Sequence, residues 1–261
     1  MIEKTNSSKA NSTLSLSTFF CLYIAQMVPS SFLMTALQVM MREGHYSLTT
    51  IGLLNLVRLP WLLKLFWSPL VDRHCLTVAH YKRTIIITES IYALALIATS
   101  LVNVQSNMLL ALVLVFISLL ASATQDIATD ALAIITSKKS ERSMLNSMQS
   151  MGSFGGALLG SGVLLIVLKT YGWQAVVLCL AFFVLIMLIP LLFNKNLKAI
   201  TPKPTQKANF KDILYFFSHH DTWRQVGFLM LYYMGIIGII SMLKPYMVDH
   251  GYDIKQIGFY I

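Results

Sequence analysis

Charged residues are scarce in this sequence. Asp, Glu, Lys and Arg make up only 12% of its 261 residues, whereas hydrophobic residues make up 56% and the mean hydropathy is +0.67. Soluble domains carry about 25% charged residues, so the composition excludes an ordinary water-soluble domain and indicates that most apolar side chains face lipid. A membrane-spanning helix needs about 20 mostly apolar residues, so the chain has room for roughly seven to nine spans and for no large domain outside the membrane.

Cysteine is also scarce, and the spacing of the three cysteines matches no metal site. A disulfide framework is not expected from so few cysteines, two of which lie in apolar runs. A membrane-embedded enzyme would need a nucleophile, a metal cluster or a paired acid and base. Only Asp126 with Asp130 approaches such a pair, and neither has a histidine or cysteine partner nearby in the pattern. We therefore expect no enzyme, no metal and no cofactor. The cysteines are Cys21, Cys75 and Cys179.

Seven apolar runs, separated by charged and turn residues, predict an all-α polytopic membrane protein. An eighth apolar segment opens at about Ile254 and reaches Ile261 after barely two turns, which is too short to cross a bilayer. We therefore expect the sequence to end inside a helix. The seven predicted spans are 16–41, 48–70, 83–102, 108–135, 143–168, 173–193 and 223–247.

Lys and Arg are distributed unevenly between alternate loops. Of the 20 basic residues, 14 lie on the side of the N-terminus, 3 lie on the opposite side and 3 lie within spans. By the positive-inside rule the N-terminus is cytoplasmic. A seven-span receptor fits the helix count, but it usually has its N-terminus outside. Because the basic residues occur in short stretches between apolar runs, the net charge of +9 reflects membrane topology and does not indicate nucleic-acid binding.

A short stretch at the end of span one recurs at the end of span seven. When Ile51 is set on Ile257, a shift of 206 residues, an acidic residue, a tyrosine and a helix-capping residue also align. Six spans separate the copies, which is the spacing of a parallel repeat, although a match this short can arise by chance. The predicted organisation is a cytoplasmic tail at 1–15, a six-helix bundle at 16–193, a cytoplasmic linker at 194–222 and the start of a second bundle at 223–261. The parent molecule would have about twelve spans.

The junction of spans two and three carries the most specific local motif. It reads Trp67-Ser68-Pro69-Leu70-Val71-Asp72-Arg73 and is followed by Tyr81-Lys82-Arg83. This pattern resembles the cytoplasmic loop signature of the major facilitator superfamily. An acid at a helix end can bind a neighbouring helix N-terminus in one conformation and release it in another. The resemblance therefore implies a cytoplasmic gate made by Asp72, Arg73, Lys82 and Arg83, and the alternative is an ordinary basic internal loop.

A narrower resemblance rests on spans two and four. Leu59-Pro60-Trp61 with Lys64, and the run 123–131 that reads ATQDIATDA, are similar to the muropeptide permease branch, which includes siderophore permeases and acetyl-CoA transporters. The resemblance implies a secondary active transporter in a bacterial inner membrane. Such a transporter would take up a muropeptide-like, siderophore-like or other anionic or amphipathic solute. Uptake would be driven by protons and would proceed by alternating access. Span five has no Gly-Pro pair, which argues against a drug antiporter. The implied partners are this small-molecule solute, protons and the lipid bilayer.

Ionisable residues inside spans are costly, at about 2.5 to 3.5 kcal/mol each at the bilayer centre, and tend to be paired or functional. Asp126 and Asp130 lie one turn apart on one face of span four, next to Gln125. Together with Lys64 and Glu89 they fall roughly 8 to 14 Å from the cytoplasmic ends of their spans. We therefore expect a buried charge network. It is either a proton relay, because acids that share one lysine have separated pKa values, or a fixed structural ion pair.

Arg58 lies closer to the membrane centre than the other charged residues of span two. It could hold a carboxylate or phosphate of the solute by forked hydrogen bonds, with Asn55 on the same helix face. Alternatively it pairs with backbone carbonyls or with an acid of the second half. Gln26 in span one is a third candidate for solute contact, although a polar link between helices is the more frequent role of such a residue. Gly152, Gly156 and Gly160 form a stripe that predicts close helix packing, or else a sliding surface between bundles.

Overall fold

The computed structural model describes residues 2–194, 197 and 210–260, and these ranges fold into helices with no strand. About half of the predicted linker, 195–196 and 198–209, lies outside the described residues. Helix α1 begins at Ile2, so the predicted tail is continuous with the first span. The helices are α1 Ile2–Glu43, α2 Leu48–Leu53, α3 Leu59–His74, α4 Val78–Ser100, α5 Met108–Thr136, α6 Arg142–Ala157, α7 Leu164–Phe193, α8 Phe210–Ser218, α9 His220–Asp249 and α10 Ile254–Tyr260.

Six helical stretches in the described residues are long and apolar enough to cross a membrane. One of them, Lys139–Phe193, has 55 residues and is interrupted at Gly172, whose φ of 77° and ψ of 171° are not helical. The next residue fixes the turn, because the Trp173 indole donates to the Thr99 carbonyl at 3.1 Å and stacks on Phe32. The break separates the predicted fifth and sixth spans, so the structure agrees with seven spans and an all-α polytopic fold.

Span two is irregular near its middle. A 3₁₀ turn, Leu54–Arg58, joins α2 to α3, and Pro60 occupies the first turn of α3. Pro60 has no N–H to donate to the carbonyl four residues earlier. The N–H of the preceding residue, Leu59, donates to the Leu56 carbonyl, three residues back. Irregular backbone at membrane depth is found mainly where it is buried in protein or lines a cavity. Arg58 is the last residue of this turn.

Helix α1 is the central element of the bundle and packs closely on α6. A Cβ added at Gly152 would lie 2.7 Å from Tyr23 Cβ. In the π-helical turn Leu158–Val163 that continues α6, a Cβ added at Gly160 would lie 2.9 Å from the Phe32 nitrogen. At Gly155 such an atom would meet nothing within 4 Å. The predicted close packing of the glycine stripe is therefore confirmed. The stripe contacts a helix of the same six-helix bundle, so it is not a surface between two bundles.

The repeated loop has the same backbone geometry in both copies. The Tyr46 N–H donates to the Met41 carbonyl at 3.0 Å. At the shift of 206 residues, the Tyr252 N–H donates to the Met247 carbonyl at 3.1 Å. The residue before each tyrosine has a positive φ, 60° in the first copy and 80° in the second, which with these bonds forms the same helix-ending motif. The structure thus supports the internal repeat. The two positive-φ residues are His45 and Gly251.

Helix α9, the seventh span, contacts the bundle only through its C-terminal part. Its buried residues are Pro245 and Met247, whereas most apolar side chains along the rest of the helix are exposed. Two ion pairs join this region to the first six spans at the end of the bundle that carries the repeated loop. The pairs are Arg42 with Asp249 at 2.5 Å, and Lys169 with Asp253.

Candidate functional site

Lys64 and Asp126 form an ion pair between spans two and four. Lys64 Nζ donates to Asp126 Oδ2, and the Asp126 side chain is 3% exposed whereas that of Lys64 is 33% exposed. The ammonium also lies 5.1 Å from the centroid of the Trp61 ring, within the range of a cation–π contact. The pairing places two opposite charges at membrane depth, where a carboxylate needs a partner to stay ionised.

Asp130 lies one helical turn beyond this pair and has neutral partners. The Tyr23 hydroxyl donates to Asp130 Oδ1 at 2.9 Å, and the Gln149 amide donates to the same oxygen at 3.3 Å. Asp130 is half-buried and lines a cavity of about 300 Å³ between α1, α5 and α6, which Arg142 and Asn146 also line. Asp130 therefore has access to a cavity, whereas Asp126 is enclosed.

Glu89 is buried but does not join the ion pair. It is 1% exposed, and its Oε2 has no hydrogen-bond partner among the described residues. In the described part of the chain Lys64 forms its ion pair with Asp126 and none with Glu89. Glu89 lies at a depth in its span similar to that of Lys64 and Asp126, and this similarity correctly predicted that it is buried. Depth does not specify, however, which face of α4 carries the side chain.

Gln26 and Gln125 link α1 to α5. Gln26 Nε2 donates to Gln125 Oε1, and both side chains are 1% exposed. Each amide retains one buried polar atom, Gln26 Oε1 and Gln125 Nε2, that has no partner in the described part of the chain. In this conformation a solute would not reach Gln26. The arrangement is that of a polar link between helices, which was the alternative interpretation.

Arg58 is exposed at the end of the irregular turn of span two and forms no ion pair among the described residues. The Asn55 amide is directed to the backbone, where it donates to the Gly52 carbonyl at 3.2 Å. Lys244 of α9, a cation of the second half, donates through Nζ to Thr35 Oγ1 of α1 at 2.7 Å. An acid of the second half was one expected partner of Arg58, and none pairs with it in the described residues.

Two of the four predicted gate residues, Asp72 and Lys82, contact neighbouring elements. The Tyr81 hydroxyl donates to Asp72 Oδ1 at 2.9 Å, which joins α3 to α4. Lys82 Nζ donates to the Asn194 carbonyl at the end of span six. Arg73 and Arg83 are exposed. The motif thus connects spans two, three and six at the basic end of the bundle.

Comparison with known proteins decides the family. The sequence model of the Major Facilitator Superfamily matches residues 17–261, which is nearly the whole chain. The chain belongs to the major facilitator superfamily. The family resemblance stated from the motif at spans two and three is therefore confirmed.

The relatives of the chain include proteins named as transporters and permeases. The chain is 28% identical over 169 residues to "Putative transporter AmpG 3" of Rickettsia prowazekii. The aligned region covers 62% of this chain and 40% of that protein. It is 25% identical over 227 residues to the "Anhydromuropeptide permease" of Escherichia coli K12. This aligned region covers 85% of this chain and 46% of that protein. The chain thus spans less than half the length of these relatives. Their names support the resemblance to the muropeptide permease branch and are those of transporters rather than enzymes.

Several residues of this superfamily member that matter in the structure were missed by sequence reasoning. Tyr23 and Gln149 donate hydrogen bonds to Asp130, and Lys244 donates to Thr35. Lys244 carried a signal, since it is a cation inside a predicted span. Tyr23 and Gln149 carried none, because a polar or aromatic residue in a span gives no information about its partner on another helix.

Proposed function

We propose that the protein is a secondary active transporter that takes up an anionic or amphipathic solute, such as a muropeptide, across the bacterial inner membrane by alternating access. Membership of the major facilitator superfamily supports transport, and the name of the Escherichia coli relative supports the solute class. The excess of Lys and Arg on one side supports a cytoplasmic N-terminus.

The observation that carries the proposal is the ion pair of Lys64 with Asp126, with Asp130 one turn away. When Asp130 accepts a proton from its cavity, its charge no longer competes with that of Asp126 for Lys64. A change in the charge of this cluster changes the contacts of spans two and four, and such a change can bias a two-state bundle. Proton binding would thereby be coupled to the conformation of the site.

Solute binding is proposed at Arg58, where irregular backbone and an exposed guanidinium meet at membrane depth. A guanidinium binds a carboxylate or phosphate through two parallel hydrogen bonds. In the conformation described here, the ion pairs Arg42 with Asp249 and Lys169 with Asp253 would close the outer end. Asp72 with Tyr81, and Lys82 with the Asn194 carbonyl, would belong to the cytoplasmic gate.

Proton coupling can be tested by uptake of a radiolabelled anhydromuropeptide into proteoliposomes with an imposed pH gradient. We expect Asp130→Asn, which keeps the size of the side chain, to reduce proton-driven uptake at least tenfold while solute exchange without a gradient continues. Asp221→Asn, at an exposed position near the start of α9, is the matched control and should transport normally.

Two results would contradict the proposal. Full proton-driven uptake by both Asp126→Asn and Asp130→Asn would exclude these carboxylates as the coupling groups and leave Lys64 and Asp126 as a structural pair. Absence of anhydromuropeptide uptake by the unmodified protein would exclude this solute class.

A further inference from the structure

The short helix α8 exposes large apolar side chains although it belongs to the predicted linker and not to a span. Leu214 is 73% exposed, Tyr215 is 70% exposed and Phe216 is 55% exposed. Because consecutive residues of a helix point in directions about 100° apart, these three cover more than half of its circumference. A helix at a water-exposed surface has one apolar stripe and a polar opposite face, so water is an unfavourable solvent for α8.

The path of the chain places α8 next to the membrane. A single residue, His219, separates it from α9, whose 30 residues are long and apolar enough to cross a bilayer. At a rise of 1.5 Å per residue α9 is about 45 Å long, whereas the hydrocarbon core is roughly 30 Å thick. The first turns of α9 therefore reach the headgroup region, together with the end of α8 that is joined to them.

Hydrogen bonds fix the corner between α8 and α9. The Thr222 hydroxyl donates to the Phe216 carbonyl at 2.9 Å, and the Trp223 indole donates to the Phe217 carbonyl at 2.8 Å. The rings of Phe217 and Trp223 also meet, with their centroids 5.7 Å apart. The last carbonyls of a helix have no partner within that helix, so these two bonds satisfy groups that would otherwise need water. This end of α8 can therefore lie in a partly dehydrated environment.

The residues around this corner are of the types that occur at a membrane–water interface. Tyr215 and Trp223 are exposed aromatic residues with a polar group, and such residues are enriched at the headgroup level. The segment 194–224 contains six Lys and Arg residues but only two Asp residues. A cluster of about four to eight basic residues beside a span favours binding of anionic lipid headgroups. The exposed apolar side chains and the positive charge thus fit the same partner.

We infer that α8 lies in the headgroup region at the basic end of the bundle and binds anionic phospholipid, with Leu214, Tyr215 and Phe216 inserted among the upper acyl chains. In the proposed topology this is the cytoplasmic leaflet. The inference adds an interaction surface to the linker and is independent of the transported solute and of proton coupling. Because α8 also contacts α3, which carries Asp72 and Arg73, bound lipid would hold the linker beside the proposed gate.

The experiment measures the depth of a nitroxide label at position 214 in nanodiscs that contain phosphatidylglycerol. The label is attached to Leu214→Cys in a chain whose three native cysteines are replaced by alanine. We expect oxygen, which concentrates in lipid, to relax the label more than a neutral, water-soluble nickel chelate does, at a depth of about 5 to 10 Å. The aqueous control is Lys139→Cys, in an exposed turn at the same end of the bundle. The lipid control is Phe182→Cys, at an exposed position near the middle of span six.

Two results of this measurement would overturn the inference. A label at position 214 that is as accessible to the nickel chelate as the label at position 139 would show that α8 lies in water. A label at position 214 that is shielded from both oxygen and the nickel chelate would show that another part of the protein covers this surface of α8.

A tryptophan at the same position gives a second measurement in a chain that keeps its native cysteines. We expect the added fluorescence of Leu214→Trp to be quenched by phospholipids that are brominated near the headgroup end of their acyl chains. The added fluorescence of Lys139→Trp should instead be quenched by acrylamide in the surrounding water. Equal quenching of the two variants by acrylamide would overturn the inference, even if replacement of the cysteines prevents folding of the labelled chain.

The role of the anionic headgroup is tested by a change of lipid. Replacement of phosphatidylglycerol by phosphatidylcholine, which has no net charge, should raise the accessibility of the label at position 214 to the nickel chelate by about twofold or more. In phosphatidylglycerol, Lys211→Gln should raise this accessibility, because it removes an exposed cation from α8. Lys255→Gln, which removes an exposed cation from α10 at the other end of the bundle, is the matched control and should not change it. Equal accessibility in the two lipids would overturn the assignment of an anionic partner.

Discussion

Substitution of a single glycine in α6 should separate the cost of overpacking from the intrinsic preference of the helix for alanine. In Gly152→Ala the new Cβ would lie 2.7 Å from Tyr23 Cβ and 3.2 Å from the Ile24 nitrogen. Carbon atoms pack best at about 3.5 to 4.0 Å, so α1 and α6 must move apart by roughly 1 Å. Neither neighbouring atom can rotate away, because one is a backbone atom and the other is bonded directly to the backbone.

The expected magnitude follows from a comparison with Gly155→Ala. Both substitutions replace glycine by alanine inside the same helix and gain about 1 kcal/mol of helix propensity. At Gly155 the new atom has open space within 4 Å, so only this gain remains. At Gly152 overpacking costs about 1 to 3 kcal/mol. The difference between the two variants should therefore be about 1 to 3 kcal/mol, with Gly155→Ala the more stable.

The measurement is reversible unfolding in mixed detergent micelles, followed by circular dichroism, for the unmodified protein and both variants. Gly160→Ala is a second test, because its Cβ would lie 2.9 Å from the Phe32 nitrogen. If Gly152→Ala and Gly155→Ala unfold with free energies equal within about 0.5 kcal/mol, the inference that α1 and α6 meet through the glycine stripe is refuted.

Three further predictions concern polar contacts and topology. Gln26→Leu alone should destabilise the protein by about 1 to 3 kcal/mol, because it leaves the Gln125 amide buried without its partner. In the same unfolding assay, the double variant Gln26→Leu with Gln125→Leu should recover much of this loss. If the losses of the two single variants add in the double variant, the link between these residues is contradicted. A hydrogen bond from Lys169 holds the pKa of Asp253 below its ordinary value. The pair should therefore stabilise the protein at pH values above the ordinary pKa. This stabilisation should disappear as the pH falls through the lowered pKa of Asp253. Lys169→Gln should raise that pKa in a titration of the labelled carboxyl group followed by NMR, and an unchanged pKa would exclude the contact. A reporter fused to the N-terminus should be active only in the cytoplasm, and an external signal would reverse the proposed topology.

The repeated loop suggests how the two halves are related. Both copies end a long helix with a residue of positive φ, and both are followed by a helix that begins at a capping position, Ser47 or Asp253. The ion pairs that join the halves, Arg42 with Asp249 and Lys169 with Asp253, lie beside these loops. Loss of these exposed pairs costs little folding energy, so they can form and break during a conformational cycle.

The sequence by itself determined the elements that depend on local composition and spacing. Apolar runs predict the spans because lipid requires about 20 such residues per crossing, and glycines spaced by four predict the face of α6 that packs closely. The superfamily motif around Asp72 and the run that contains Asp126 predict the family for the same reason, since each is a contiguous pattern. The loop after span one predicts its counterpart after span seven.

Only the tertiary structure decided which polar side chains meet. Lys64, Glu89 and Asp126 fall at similar depths, yet Lys64 pairs with Asp126 and Glu89 is buried elsewhere. Lys244 donates a hydrogen bond to Thr35, which lies 209 residues away in the sequence. Depth along a helix follows from residue number, but the direction in which a side chain points depends on the rotation and packing of each helix against its neighbours. For this reason the spans could be predicted to within several residues at each end, whereas the pairing of Lys64 with Asp126 could be identified only in three dimensions.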